Sequence, residues 1–274
     1  MSDNELDNYG SIQTTIRAPG GPALHTYVQE PLDDQFPALA LVVVHQCTGL
    51  GGCAMTAGDI SRSCCSRGFL TISFDMRGAG SSSGCSSLGP WPLLSGCAEV
   101  HDVVAIAEWV NREYNRRVWL VGVSAGASVA MSALDQSQCI VGFIGIAPVL
   151  GILPTVLFGQ HTMRLLLSAK PKLIVLGSCD CLTSSACFGL VYALMRSPKA
   201  YHIQPCAGHF DIEVGRYGPM HAELISKFVS DGASTNNLKP GFLLHGLCVL
   251  GPFCMAVGLV LWILHLRSHD ASQW

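Results

Sequence analysis

The segment Val118 to Leu134, VWLVGVSAGASVAMSAL, constrains the fold more than any other stretch of the chain. A β-branched apolar run leads to Ser124, and Gly122 and Gly126 stand two residues before and after it. Small helix-compatible residues follow. That order predicts a strand, a sharp turn and a helix, with the serine at the apex. So tight a turn forces the serine into a strained backbone conformation, and its neighbours must be small. The serine then stands exposed at the carboxyl end of a strand. The helix behind it points its positive N-terminal end at the same place.

The rest of the chain repeats the strand-then-helix rhythm. Residues 1 to 10 read as a disordered acidic start. Ser11 to Arg17 and Leu24 to Gln29 alternate like strands around APGGPA, which predicts a hairpin. Further strands are expected at Ala38 to Val44, Phe69 to Phe74, Val118 to Val123, Ile140 to Ala147, Leu173 to Leu176 and Tyr201 to Gln204. Helices are expected at Thr56 to Arg67 (stopped by Gly68), Leu93 to Tyr114, behind Ser124, at His161 to Ser168, at Leu182 to Met195 and at His221 to Val229. Eight strands alternating with helices predict an α/β domain over residues 11 to 230, a mostly parallel sheet covered on both faces.

The net charge of −3 gives no basic footprint for nucleic acid. There are 13 cysteines. The polar start MSDNELDNYG does not resemble a secretory signal, so reduced thiols in a cytosolic setting are expected. Cys179, Cys181 and Cys187 lack paired metal-ligand spacing and read as buried or half-buried small residues; no metal is expected. A mean hydropathy of +0.39 needs a cause. Residues 231 to 240 form a polar linker, and Gly241 to Leu264 then contains no Asp, Glu, Lys or Arg. Its core from Gly246 to Leu264 is close to the roughly 20 apolar residues that span a bilayer. A membrane helix over 241 to 266 is therefore expected, with Trp262 near its outer end, a tail at 267 to 274 and the larger domain facing the cytosol.

A serine hydroxyl becomes a useful nucleophile only beside a base that a carboxylate orients. Asp180 ends the strand LIVLGSC, and His209 follows the last strand in YHIQPCAG. Three polar groups at carboxyl ends of parallel strands converge on one rim of the sheet. Other residues compete for these roles. Asp180 could instead cap the helix near Leu182. Asp211 lies too close to His209 in sequence to orient its ring easily. His45, His161 and His202 are rival bases, and Cys47 is a rival nucleophile on a loop rather than a turn.

With these residues in place, the chain over about 11 to 230 resembles an α/β-hydrolase, of the lidless esterase-like or serine-aminopeptidase-like kind. GVSAG resembles the nucleophile elbow, GSCD the acid turn, AGHF the histidine tip and FDMRGAGSSSG the D-x-R-G-x-G-x-S turn. HQCTGLGG sits where that family places its oxyanion hole, with Gln46 where a glycine is usual. The resemblance implies Ser124 as nucleophile, Asp180 as acid and His209 as base. It implies oxyanion donors at Ala125 and around Gln46 and Cys47. His45 would shape the oxyanion loop, and Asp75 and Arg77 would form an ion pair holding loops near the site. The implied activity is hydrolysis of an ester, thioester or amide through an acyl-Ser124 intermediate, without a cofactor. The short interval from Leu150 to Pro171 leaves room for one helix, a minimal cap over an open pocket for a small or lipid-like acyl substrate. A non-hydrolytic ligand-binding or signalling module is the alternative on the same fold.

Overall fold

The computed structural model describes residues 11–17, 20–46, 51–86, 97–150, 160–213 and 215–231. An eight-stranded sheet runs in the order β1-β2-β4-β3-β5-β6-β7-β8. β1 (Ile12–Arg17) and β2 (Ala23–Gln29) form the expected antiparallel hairpin, and β2 pairs antiparallel with β4 (Leu70–Phe74). β3 (Leu39–Val44), β5 (Arg117–Val123), β6 (Ile140–Ile146), β7 (Lys172–Gly177) and β8 (Lys199–Gln204) continue in parallel from β4. β4 and β7 are buried at every position. Helices cover both faces there, so apolar residues run on without alternation.

On one face pack α2 (Cys97–Tyr114), α3 (Ala125–Ala133), α4 (Gln160–Leu167) and α5 (Ser185–Leu194). α1 (Gly58–Cys65) and α7 (Gly218–Ser230) pack on the other, where Phe228 sets its ring edge-on to Trp119 of β5. One short helical turn, α6 (His209–Ile212), was not expected from the sequence. Pro219 at the start of α7 fits the first helical turn, so that helix begins three residues before the predicted His221.

β7 and β8 each begin on a lysine, one and two residues earlier, respectively, than the apolar pattern predicts. Lys172 is fully buried, and its Nζ donates to Ser168 O at 2.6 Å and Lys170 O at 2.8 Å. Lys199 Nζ donates to Tyr192 O and Met195 O, both at 2.6 Å. The ammonium groups bind carbonyls that the helix ends leave open, which lets charged residues enter a sheet.

Between β6 and β7 the described residues contain one helix, α4, in keeping with a minimal cap. Among the described residues no helix is long and apolar enough to cross a membrane. The predicted span at 241–266, the tail after it, the acidic start and nearly all of the linker lie outside the described residues.

Candidate functional site

The apex serine follows directly on β5 and caps α3. Its backbone sits at φ +52° and ψ −121°, and its N–H still donates to Ile146 O of β6 at 2.9 Å. The two flanking glycines have separate steric reasons. A Cβ on Gly126 would lie 2.1 Å from His45 O, and one on Gly122 would lie 2.4 Å from Ala127 Cα. The elbow is therefore wedged between the end of β3 and its own helix. Ala147 after β6 and Cys206 after β8 also hold positive φ, at +47° and +57°. Strained backbone gathers at this rim of the sheet, as it does at functional sites.

The structure brings Ser124, His209 and Asp180 together. Ser124 Oγ lies 2.9 Å from His209 Nε2. His209 Nδ1 donates to Asp180 Oδ2 at 2.8 Å. The other carboxylate oxygen, Asp180 Oδ1, accepts the N–H groups of Leu182 and Thr183, each at 2.8 Å. Asp180 thus caps the turn before α5 while it holds the imidazole. α5 itself starts at Ser185, because Ser184 caps it by accepting from Cys187 N. Asp211 is occupied elsewhere: its carboxylate accepts Gly208 N–H and pairs with Arg216.

Glu213 was not anticipated. It lies one helical turn beyond His209, and its Oε1 stands 3.0 Å from His209 Nε2. That oxygen accepts no hydrogen bond among the described residues, so the contact is Coulombic rather than directed. Two carboxylates therefore flank one buried imidazole. Burial pulls the His209 pKa down, but the hydrogen bond and charge of Asp180 and the closeness of Glu213 outweigh it and lift the pKa to about 9. The i, i+4 spacing in HFDIE was available as a signal. It becomes informative only once His209 is known to open a helical turn instead of ending a loop.

The surrounding loops are tied by buried polar groups. His45 is fully buried; its Nδ1 donates to Gln46 O at 2.7 Å and its Nε2 accepts Met76 N–H at 3.0 Å. Burial lowers its pKa, which suits a neutral ring with one donor and one acceptor. The Gln46 side chain accepts from Thr56 Oγ1 at 2.7 Å. Ala125 opens α3, so its N–H is among those that a helix leaves without an internal partner. Cys47 lies outside the described residues, as does the side chain of His161. His202 is a half-buried strand residue whose Nε2 lies 3.3 Å from Gln204 Oε1.

The expected Asp75–Arg77 ion pair does not form. Asp75 binds backbone instead: it accepts Ala54 N–H at 2.8 Å and Ser81 N–H at 2.9 Å. A Cβ on Gly80 would strike Asp75 Oδ2 at 2.1 Å, so the glycine lets the turn close on the carboxylate. Arg77 reaches the other way, to α2. Its Nε and Nη2 donate to the two oxygens of buried Asp102 at 2.8 and 2.6 Å. The cysteine expectation also needs correction: Cys187 is buried, but Cys179 and Cys181 are exposed on the loop that carries Asp180. The nine described cysteines are all free thiols, and no described cluster could hold a metal. Leu182 and Phe210, 47% and 63% exposed, stand on the loop that presents Asp180 and on the helical turn α6 that presents His209. An open groove of about 690 Å³ lies elsewhere, between the segment after β2 and the end of α1, and holds no residue of this site.

The sequence profile described as serine aminopeptidase, S33, matches residues 38–209. The chain belongs to this α/β-hydrolase family. Solved structures agree on the fold. A serine hydrolase homologue from Coxiella burnetii is 22% identical with a TM-score of 0.62, over 80% of this chain and 96% of that one. A lidless α/β serine hydrolase from Xanthomonas campestris is also 22% identical, with a TM-score of 0.62, over 81% and 98%. An esterase from Pyrococcus furiosus is 15% identical, with a TM-score of 0.67, over 85% and 96%. At such identities the likeness speaks for the fold, and chemistry has to be argued from the site. No curated protein matches the sequence.

Proposed function

We propose that this hydrolase cleaves an ester, thioester or amide by acyl transfer through Ser124, with a carboxylic ester as the first substrate class. The observation that carries the reading is the 2.9 Å contact between Ser124 Oγ and His209 Nε2, backed by the 2.8 Å bond from Nδ1 to Asp180. His209 takes the Ser124 proton as Oγ attacks the carbonyl carbon, then passes it to the leaving group. Asp180 fixes the tautomer with Nε2 free to accept and stabilises the imidazolium. The Ala125 N–H, at the positive end of α3, faces the developing oxyanion; the loop at Gln46 and Cys47 supplies the second donor. Water activated by His209 then releases the acid and restores Ser124.

The exposed apolar side chains of Leu182 and Phe210 favour an apolar acyl or alcohol group over a highly charged one. The uncharged stretch 241–264 anchors the enzyme to a membrane, with the hydrolase domain on the cytosolic side. The test is labelling of the full chain by a fluorophosphonate probe, together with turnover of an activated ester, a thioester and an aminoacyl amide. Labelling and ester turnover that vanish in Ser124→Ala support the proposal. Equal labelling of wild type and Ser124→Ala would overturn the nucleophile assignment.

A further inference from the structure

Besides Leu32 after β2 and Met55 before α1, the described residues expose large apolar side chains in two places. Leu182 and Phe210 stand at the carboxyl ends of the strands, beside the site. Leu167 and Leu194, 66% and 57% exposed, stand at the opposite edge. Each is the last residue of its helix, α4 or α5, just before the chain enters β7 or β8. The two helix ends are joined there by the bond from Arg196 N–H to Leu166 O at 2.9 Å. Arg164 and Arg196, both exposed, stand three residues before Leu167 and two after Leu194 in the chain, while Lys170 and Lys199 turn their ammonium groups onto nearby backbone carbonyls. Asp135 is the facing acid, 3.8 Å from Lys170 Nζ. Two protruding leucines with two exposed arginines beside them match the chemistry of an anionic membrane surface, with apolar groups below the headgroups and cations among them.

The path of the chain points the same way. α7 begins near the site and runs back along the sheet. Phe228 in its last turn meets Trp119 near the start of β5, so the chain leaves α7 at the amino-terminal edge of the strands. Lys227 is exposed in the same last turn. The uncharged stretch from Gly241 begins ten residues after Asp231.

We infer that the amino-terminal edge of β7 and β8, with Leu167 and Leu194 inserted and Arg164 and Arg196 against headgroups, docks on an anionic bilayer. The inference deepens the anchored reading above and rests on it for the chain's exit toward the membrane. Docking this way turns Ser124, Asp180 and His209 away from the lipid by a strand length. For the six residues of β7 that is about 20 Å. Substrate then arrives from the aqueous side, as a soluble acyl compound or a modified protein surface, rather than by lateral diffusion in the bilayer.

The test uses the full chain with phosphatidylcholine vesicles and with vesicles containing about one-third phosphatidylserine. Vesicle association and amide hydrogen exchange over 164–170 and 194–199 are read together. The comparison protein is Arg164→Gln/Arg196→Gln, which changes two exposed side chains and leaves the carbonyl-binding lysines in place. Exchange protection of both segments on phosphatidylserine vesicles is expected. Each cation removed should weaken docking roughly fivefold. If the chain stays with both vesicle types but neither segment gains protection, the anchor stands and the docking face is overturned. Association with phosphatidylserine vesicles alone, lost in the double variant, supports docking and overturns the anchor. Protection that is equal without vesicles means another part of the chain covers the face, and overturns docking. Association with neither vesicle type overturns both.

Discussion

Asp180 first and Glu213 second raise the pH at which this site works, against the pull of burial. Nε2 of His209 must be unprotonated to accept the Ser124 proton, so activity follows the neutral fraction of the imidazole. With the His209 pKa at about 9, that fraction at pH 7 is roughly 1%. Asp180 faces Nδ1 and Glu213 faces Nε2, whereas the charge of Asp211 is taken by Arg216 and the Gly208 N–H. Glu213→Gln keeps the shape and removes the charge nearest the reacting nitrogen. A fall of one unit raises the neutral fraction at pH 7 to roughly 10%, and a full return to 6.5 raises it to roughly 75%. The expected gain in kcat/KM at pH 7 is therefore between about 10- and 75-fold, with little change above pH 9.5. The assay is the pH profile of kcat/KM on an activated ester, wild type against Glu213→Gln. A wild-type acid limb already below pH 7, or a limb that Glu213→Gln leaves unmoved, would refute the reasoning. Stability carries the same signature. A pKa raised in the folded state stabilises fully below about 6.5, and that contribution, about 3 kcal/mol, is lost as pH rises toward 9. Urea unfolding across that range should show a shallower loss in the variant.

Other substitutions follow from the geometry. Asp180→Asn should lower kcat by about 10⁴ while fluorophosphonate access to Ser124 remains, because the ring then adopts the wrong tautomer. Arg77→Ala leaves buried Asp102 without its partner and should cost about 3 to 5 kcal/mol in urea unfolding, with ester activity retained per folded molecule. Gly126→Ala pushes a methyl into His45 O and should cost about 1 to 3 kcal/mol while reducing turnover through the displaced elbow. His221 is fully buried, neither ring nitrogen has a hydrogen bond among the described residues, and burial lowers its pKa to about 4. The unfolded chain binds that proton first, so stability falls as pH drops from 6.5 toward 4, by about 3 kcal/mol in all. His221→Leu should remove that acid dependence, read as the difference in urea midpoint between pH 7 and pH 4.5.

The sheet and the three converging residues were legible because each depends on a local pattern. Apolar runs mark most of the strands; Ser124 follows its strand directly, and Asp180 and His209 come three and five residues after theirs. The starts of β7 and β8 were hidden because Lys172 and Lys199 look like surface residues. Their place in the sheet depends on carbonyls supplied by α5 and by the residues that follow α4 and α5. The Asp75–Arg77 pairing failed for a related reason. Adjacent opposite charges suggest a partnership, but the turn directs one side chain to backbone donors and the other to Asp102, 25 residues further on. Glu213 was missed because its meaning lies in distance to a ring, and that distance exists only after α6 forms. His221 had no signal of its own: an unsatisfied buried histidine reads like any other on an amphipathic helix.

The base and its nucleophile sit on strands of very different security. Ser124 rides on β5, which is paired on both sides, by β3 and β6. His209 follows β8, the last strand, which is paired on one side only and is mostly half-buried. Edge segments of this kind open at a lower free energy than the whole molecule. Heating should therefore silence the enzyme before it melts it. Loss of turnover should come at a lower temperature than loss of far-ultraviolet dichroism, and brief heating in that interval should be fully reversible. In that window the serine is still presented on an intact elbow, without the histidine that makes it reactive.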